Sequence, residues 1–322
     1  LRSLFLAVTM MSMIPILETP LGQLHQADCL DFLLSVEDDS VDLAFADPPF
    51  NLGKKYTSGI DDNMADHDYI AWSESWIDEM IRTLKPGGAL FFWNLPKWSL
   101  PLGAYIGQSL TFRHWISVDI KFSLPIQGRL YPSHYALLYF VKGKKPAIFH
   151  PDRLPVPCCR HCGGEQRDYG GYKAKMNPRG VSLTDVWTDI PPVRHAKYKR
   201  RDANALSLKL MDRIICMASD PGSLVLDPFG GSGTTFVAAE LNKRQWIGSE
   251  LDCSAIVDRF SSLEGDREHL KEIHQNKNVL FTRADLTQRR KAGRPLHPDY
   301  RVAQDERECA CERVDGRREL IL

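Results

Sequence analysis

Along this chain, short apolar runs end on acidic residues and lead through turns into stretches with helical spacing. Ser40 to Ala46 (SVDLAFA) is apolar on nearly every position, as a strand covered on both faces must be, and it delivers Asp47 to its carboxyl end. Leu224 to Leu226 does the same for Asp227, and the GQLHQADC stretch from Gly22 reads as a short strand ending at Asp28, with Leu30 to Leu34 opening a helix. His67 to Leu84 keeps helical spacing through Ile70, Trp72, Trp76, Ile77, Met80 and Leu84, and stops at Lys85-Pro86-Gly87-Gly88. GALFFWN follows as a buried strand, and Trp115 to Phe122 with His134 to Val141 read as an antiparallel pair at a sheet edge. Helical spacing returns over Asn204 to Met217, then come a helix over Thr235 to Leu241, the strand QWIGSEL and a helix over Ser254 to Leu263. Alternation of this kind predicts an α/β protein with an open, doubly wound sheet.

Two stretches depart from the pattern. Residues 143–203 are rich in proline, glycine and basic side chains, so they read as an insertion within a catalytic domain spanning 21–264. Residues 1–20 read as an irregular extension, and 265–322 as a charged, mobile tail. The opening LRSLFLAVTMMSM is apolar but too short to span a bilayer, and Met10, Met11 and Met13 are alternative starts. No other segment reads as membrane-spanning.

Composition narrows the class. With 322 residues, 43% hydrophobic and 25% charged, the chain has ample material for a buried core. Its formal net charge is zero, so any polyanion-binding surface must be local. Eight cysteines without a regular framework suit a reducing cytoplasm rather than secretion.

The chemistry is concentrated in two motifs, DPPF at Asp47 to Phe50 and DPFGGSGTT at Asp227 to Thr235. In an open α/β sheet, ligands sit at the carboxyl ends of the strands, where both motifs begin. The glycine turn lets backbone approach a ligand, and the helix that follows points free amides at the same place. It is not a phosphate loop, because Thr234 rather than Lys follows Gly233, nor a dinucleotide fingerprint, because Phe236 stands where the third glycine belongs. A carboxylate followed by two prolines and an aromatic ring suits gripping a flat, amine-bearing group.

Together these motifs resemble those of the amino-group DNA methyltransferases, which use S-adenosylmethionine to methylate the exocyclic amine of adenine or cytosine. The resemblance covers about residues 20–260 in the permuted order of the family's beta class, with the catalytic motif first, target recognition in the middle and the cofactor motif last. It implies a Rossmann-like methyltransferase sheet with circularly permuted motifs. Phe229, Gly231 and Gly233 match the family's FxGxG turn, and with Asp227, Pro228 and Thr234 they form the expected cofactor site. Asp227 suits the ammonium group, Glu250 the ribose hydroxyls, and Asp28 the neighbourhood of the adenine ring. The family's Lys-Pro pair before the cofactor strand is replaced here by Leu206-Ser207.

The same resemblance assigns catalysis to Asp47, Pro48, Pro49 and Phe50. An aromatic amine is a poor nucleophile because its lone pair is conjugated into the ring. Acceptors aimed at the amine protons, here the Asp47 carboxylate and the Pro48 carbonyl, localise that pair, while Phe50 stacks on a base rotated out of the duplex. Asp rather than Ser at position 47 favours adenine N6, with cytosine N4 as the alternative. Enzymes acting on protein glutamine or RNA place the motifs in the other order, and a non-catalytic DNA-binding subunit would not need an intact tetrad. Pro157-Cys158 formally supplies a C5-methylation pair but does not follow a buried strand.

Double-stranded DNA is the expected partner, with Lys197, Lys199, Arg200 and Arg201 of the RHAKYKRR stretch as candidate phosphate contacts. Cys159 and Cys162 supply only half of a zinc site, which needs four ligands, and no second CxxC follows, so no metal is expected and they read as ordinary reduced thiols. A homodimer and a cognate restriction endonuclease are further expectations of the resemblance, and the cysteine usage adds a cytoplasmic location.

Overall fold

A computed structural model describes residues 14–53, 63–119, 127–128, 130, 132–154, 168, 170–171, 181–190, 205–275 and 291–293. The strands are β1 (Leu17–Glu18), β2 (Gly22–Gln26), β3 (Val41–Ala46), β4 (Leu84–Asn94), β5 (Thr111–Asp119), β6 (His134–Val141), β7 (Arg153–Leu154), β8 (Val181–Ser182), β9 (Val186–Trp187), β10 (Leu224–Asp227) and β11 (Gln245–Glu250). The helices are α1 (Cys29–Ser35), α2 (Asp66–Thr83), α3 (Pro96–Ile106), α4 (Leu208–Ala218), α5 (Thr234–Leu241), α6 (Ser254–Ser261) and α7 (Glu264–Gln275). By packing, the chain divides into one unit of 1–149 with 185–267 and a second of 150–184 with 268–322.

In the first unit a nine-stranded sheet has the order β1-β2-β11-β10-β3-β4-β6-β5-β9. From β2 to β4 all neighbours are parallel, and β6 then pairs antiparallel with both β4 and β5. The unbroken apolar runs are explained by this arrangement: central parallel strands are covered on both faces, and Leu43, Ala44, Phe45 and Ala46 are all fully buried. One face is covered by α1, α2 and α3, whose Phe32, Trp76, Met80 and Leu102 pack with Ala44, Ala46 and Phe92 of the sheet. In the second unit, β7 and β8 form an antiparallel pair.

Several elements differ from expectation. The KPGG stretch does stop α2, at Thr83, but it forms the start of β4 rather than a loop. The register of β3 against β4 shifts there, and Gly87, at φ +84°, exchanges backbone hydrogen bonds with the chain around Lys142, so proline is tolerated at an irregular strand end. Helix α3 has no counterpart in the periodicity reading, because Pro96 and Pro101 read as breakers; Pro96 sits in the first turn, where its missing N–H costs nothing. The polar stretch after Gly265, expected to be tail, begins as α7. Within the region expected as an insertion, 185–190 belongs to the first unit. There β9 pairs with β5, and Asp189 takes two hydrogen bonds from Arg213 of α4, whose guanidinium also lies over Trp187.

Candidate active site

The strand order reverses direction between β10 and β3. From β10 the chain passes through α5 to β11 on one side, and from β3 through α2 to β4 on the other. Two crossovers leaving in opposite directions open a crevice at the carboxyl ends of the central pair, the place where open α/β sheets bind ligands. Asp227 is the last residue of β10 and Asp47 immediately follows β3. The four expected carboxylates thus stand along one sheet edge: Asp28 just beyond β2, Glu250 at the end of β11, then Asp227 and Asp47.

On the β10 side, Gly231 and Gly233 have φ of 57° and 75°, a left-handed backbone that suits glycine, and a Cβ on Gly233 would meet Ile256 at 2.9 Å. No side chain caps α5, so its first amides stay directed into the loop. Glu250 accepts from the Gly231 amide at 2.6 Å and the Leu251 amide at 3.0 Å. Asp227 is buried and accepts from the Phe229 amide at 2.9 Å. Burial pushes its carboxyl up to about 7 against the pull of the Thr235 hydroxyl and the Phe229 amide, and the charge of Glu250 adds to the rise. Asp28 is exposed and caps α1 through the Leu30 amide. Thr234 receives a hydrogen bond from Arg259 and reaches the Leu206 carbonyl at 3.4 Å, so backbone at Leu206 adjoins the loop where the family has Lys-Pro.

These residues fit S-adenosylmethionine on their own chemistry. Two carboxylates that repel one another end adjacent strands beside a glycine loop, and among the described residues neither is in an ion pair. A ligand carrying an ammonium group offsets that repulsion.

On the β3 side, Pro48 is buried while Asp47, Pro49 and Phe50 are half-buried. The Phe50 ring lies 6.0 Å from Tyr135, which lies 4.8 Å from Trp93, so an aromatic wall flanks the tetrad. Beyond it Asn51 adopts φ 54° and its side chain pairs with both the N–H and the carbonyl of Met64.

Sequence reasoning missed the groups that hold this loop. Tyr69 donates its hydroxyl to the Pro49 carbonyl at 2.6 Å, and Trp98 donates its indole N–H to the Phe50 carbonyl at 2.8 Å. It also missed Arg259 of α6, which donates to the Ser232 carbonyl at 2.9 Å while Asp266 grips its other face at 2.7 and 2.9 Å. The available signal was only that Tyr69 lies on the apolar face of a helix, which does not distinguish a core residue from a positioning one. Lys197, Lys199, Arg200, Arg201, Cys159 and Cys162 lie outside the described residues.

The sequence profile of a family described as DNA methylase, of the N6/N4 type, matches residues 41–257. The Type II methyltransferase M.BamHI of Bacillus amyloliquefaciens is 51% identical over 288 residues, spanning 89% of this chain and 68% of that protein. The DNA adenine methyltransferase YhdJ of Escherichia coli strain K12 is 31% identical over 240 residues, spanning 71% and 78%. Among solved structures, the cytosine-N4-specific PvuII DNA methyltransferase superposes with a TM-score of 0.58 at 20% identity, covering 82% of this chain and 95% of that one, a likeness of fold.

Proposed function

The chain belongs to the N6/N4 DNA methylase family, and from that premise we propose that it methylates one exocyclic base amine at a specific site in double-stranded DNA. The observation that carries this reading is the placement of Asp47 and Asp227 on neighbouring strands at the point where the strand order reverses.

S-Adenosylmethionine supplies an electrophilic methyl group on sulfonium. The glycine loop, Asp227 and Glu250 would hold it, and Asp28 would contribute at the adenine end. The Asp47 carboxylate and the Pro48 carbonyl accept hydrogen bonds from the two amine N–H groups of the target base, localising the nitrogen lone pair as the transition state is approached. Phe50 stacks on the extruded base, and Pro48 and Pro49 limit how far the acceptors can drift. No covalent enzyme intermediate is required. The basic stretch at Lys197, Lys199, Arg200 and Arg201 contacts phosphates in this reading, and the region 143–203 reads the target sequence.

Asp47 carries the choice of adenine N6, as in the name of the related adenine methyltransferase YhdJ, although the same two acceptors serve cytosine N4. The test is to incubate the protein with methyl-labelled S-adenosylmethionine and unmethylated genomic DNA, digest to nucleosides and identify the labelled species by mass spectrometry. Labelled N6-methyladenine is expected, and Asp47→Ala should abolish it while leaving cofactor binding intact. Labelled N4-methylcytosine would keep the mechanism and replace the base. Absence of label, with cofactor binding demonstrated, would overturn the reading in favour of another amine substrate or a non-catalytic DNA-binding subunit. A homodimer and a cognate restriction endonuclease belong to the same reading, the first checked by sedimentation and the second by cleavage of unmethylated but not methylated DNA.

A further inference from the structure

A four-residue loop that must aim one carbonyl at a substrate has a particular difficulty. Its prolines fix φ, but ψ and the plane of each peptide unit remain soft, so the direction of every carbonyl is set by whatever bonds its neighbours. Here the neighbours are bonded on both counts. The Pro49 carbonyl accepts from Tyr69 at 2.6 Å, and the Phe50 carbonyl accepts from Trp98 at 2.8 Å. Both donors are buried, and their rings pack 4.5 Å apart, so each steadies the other. The Tyr69 hydroxyl in turn accepts from the Asn94 amide at 3.1 Å, and Asn94, fully buried at the end of β4, is itself fixed by its bond from the Leu95 amide at 2.7 Å. A hydroxyl that accepts from one side donates to the other, so the Asn94 bond commits the Tyr69 proton to Pro49.

Among the described residues no donor is bonded to the Pro48 carbonyl. The two carbonyls that follow it are taken by donors from α2 and α3, and the one expected to receive the substrate is left out of the network. We propose that Tyr69, Asn94 and Trp98 are positioning residues for methyl transfer: by bonding the Pro49 and Phe50 carbonyls they hold the peptide planes of the tetrad so that Pro48 and Asp47 present their acceptors to the target amine. This rests on the amine-methylation reading above. The three residues do not touch the base or the cofactor in this account, and their effect passes entirely through the orientation of the loop.

The experiment is single-turnover methylation of a DNA duplex by the full chain, with cofactor and DNA dissociation constants and thermal unfolding measured in parallel. Tyr69→Phe keeps the ring and deletes one hydroxyl. The single-turnover rate should fall about tenfold to a hundredfold, the scale of a small misplacement of reacting groups, while both dissociation constants stay within about twofold. Asn94→Asp is the sharper variant, because it keeps shape but offers Tyr69 a carboxylate in place of a donor. The hydroxyl then turns away from Pro49, and a loss as large as that of Tyr69→Phe is expected. A merely structural role predicts loss of stability and binding together, with the rate at saturation preserved, and that result would overturn the proposal, as would an unchanged rate in both variants. Should Tyr69→Phe not fold, Trp98→Phe, which removes the indole N–H from Phe50, carries the same test on the same readout. Failure of the underlying reading is separable, since it would show as no methylation by the wild-type protein.

Discussion

Asp227 is a buried carboxyl whose proton is held up to about 7, against an ordinary value of 3.8. Between those limits the folded protein retains a proton that the unfolded chain has released, so the contribution of this residue to stability declines as pH rises from about 4 to about 7 and then levels off. A ligand ammonium beside the carboxyl favours the ionised form, and binding below about pH 7 must therefore expel a proton. Cofactor affinity should climb up to about tenfold per pH unit over that range and flatten above it. Calorimetry in buffers of different ionisation enthalpy would measure the released proton directly. Asp227→Asn should weaken binding and remove this pH dependence; if the slope survives in the variant, the titrating group lies elsewhere. Asp47 and Asp227 were legible in the sequence, since each follows an apolar run, whereas Asp28 and Glu250 follow mixed stretches and were placed by the ends of their strands and by the resemblance. Tyr69, Asn94 and Trp98 were not legible, because each is recognised only through a backbone carbonyl or hydroxyl at least 20 positions away, and a carbonyl leaves no trace in residue identity.

At the scale of elements, one helix serves both motifs. Along α2, Tyr69 reaches the DPPF motif, while Trp72 and Trp76 lie 6.0 and 5.0 Å from Phe229 at the start of the glycine loop. The spacing of three and then four residues puts all of them on one helix face, so the periodicity that predicted the helix also aligned the contacts. A second link runs through α6 and α7, where Arg259 holds the Ser232 carbonyl and Thr234, and Asp266 holds Arg259. Both charges are nearly buried, so Asp266→Ala leaves a guanidinium half unpaired and should cost about 3–5 kcal/mol of stability, the usual scale for breaking a buried pair. If the pair also positions the glycine loop, cofactor affinity at low temperature, where the variant is folded, should fall as well. A loss of melting temperature with an unchanged dissociation constant would reduce the pair to a structural staple. The polar composition of 264–275 concealed this helix: Asp266 reads as a surface charge until Arg259 is placed beside it, and only Leu270 and Ile273 hint at a buried face.

For the whole molecule, the arrangement of strands is independent of the order in which the chain visits them. Strand β2, from the start of the chain, lies beside β11, from its later part, in an unbroken parallel register from Gly22 opposite Trp246 to Gln26 opposite Glu250. The half of the sheet that carries the glycine loop is therefore built from β10, β11 and β2 although β3 and β4 intervene in sequence. The motif order implied this permutation through the family resemblance, and the apolar runs before Asp47 and Asp227 placed both motifs at strand ends. If native contacts rather than chain order select the fold, a protein that joins residue 322 to residue 1 through a flexible linker and opens between Ile190 and Ala205 should still fold, since no pairing between described strands is cut within either product segment. Such a permutant places the cofactor motif first and the tetrad last. It should bind S-adenosylmethionine with a dissociation constant within a few-fold of the parent and unfold cooperatively, while DNA affinity falls if the opened basic stretch around Lys197 to Arg201 must be continuous to contact phosphates. Comparing the salt dependence of DNA binding in the two forms separates the effects: a shallower slope with cofactor binding intact assigns phosphate contacts to that stretch, and loss of cofactor binding would show that the connection through 191–204 is needed to bring β10 against β3.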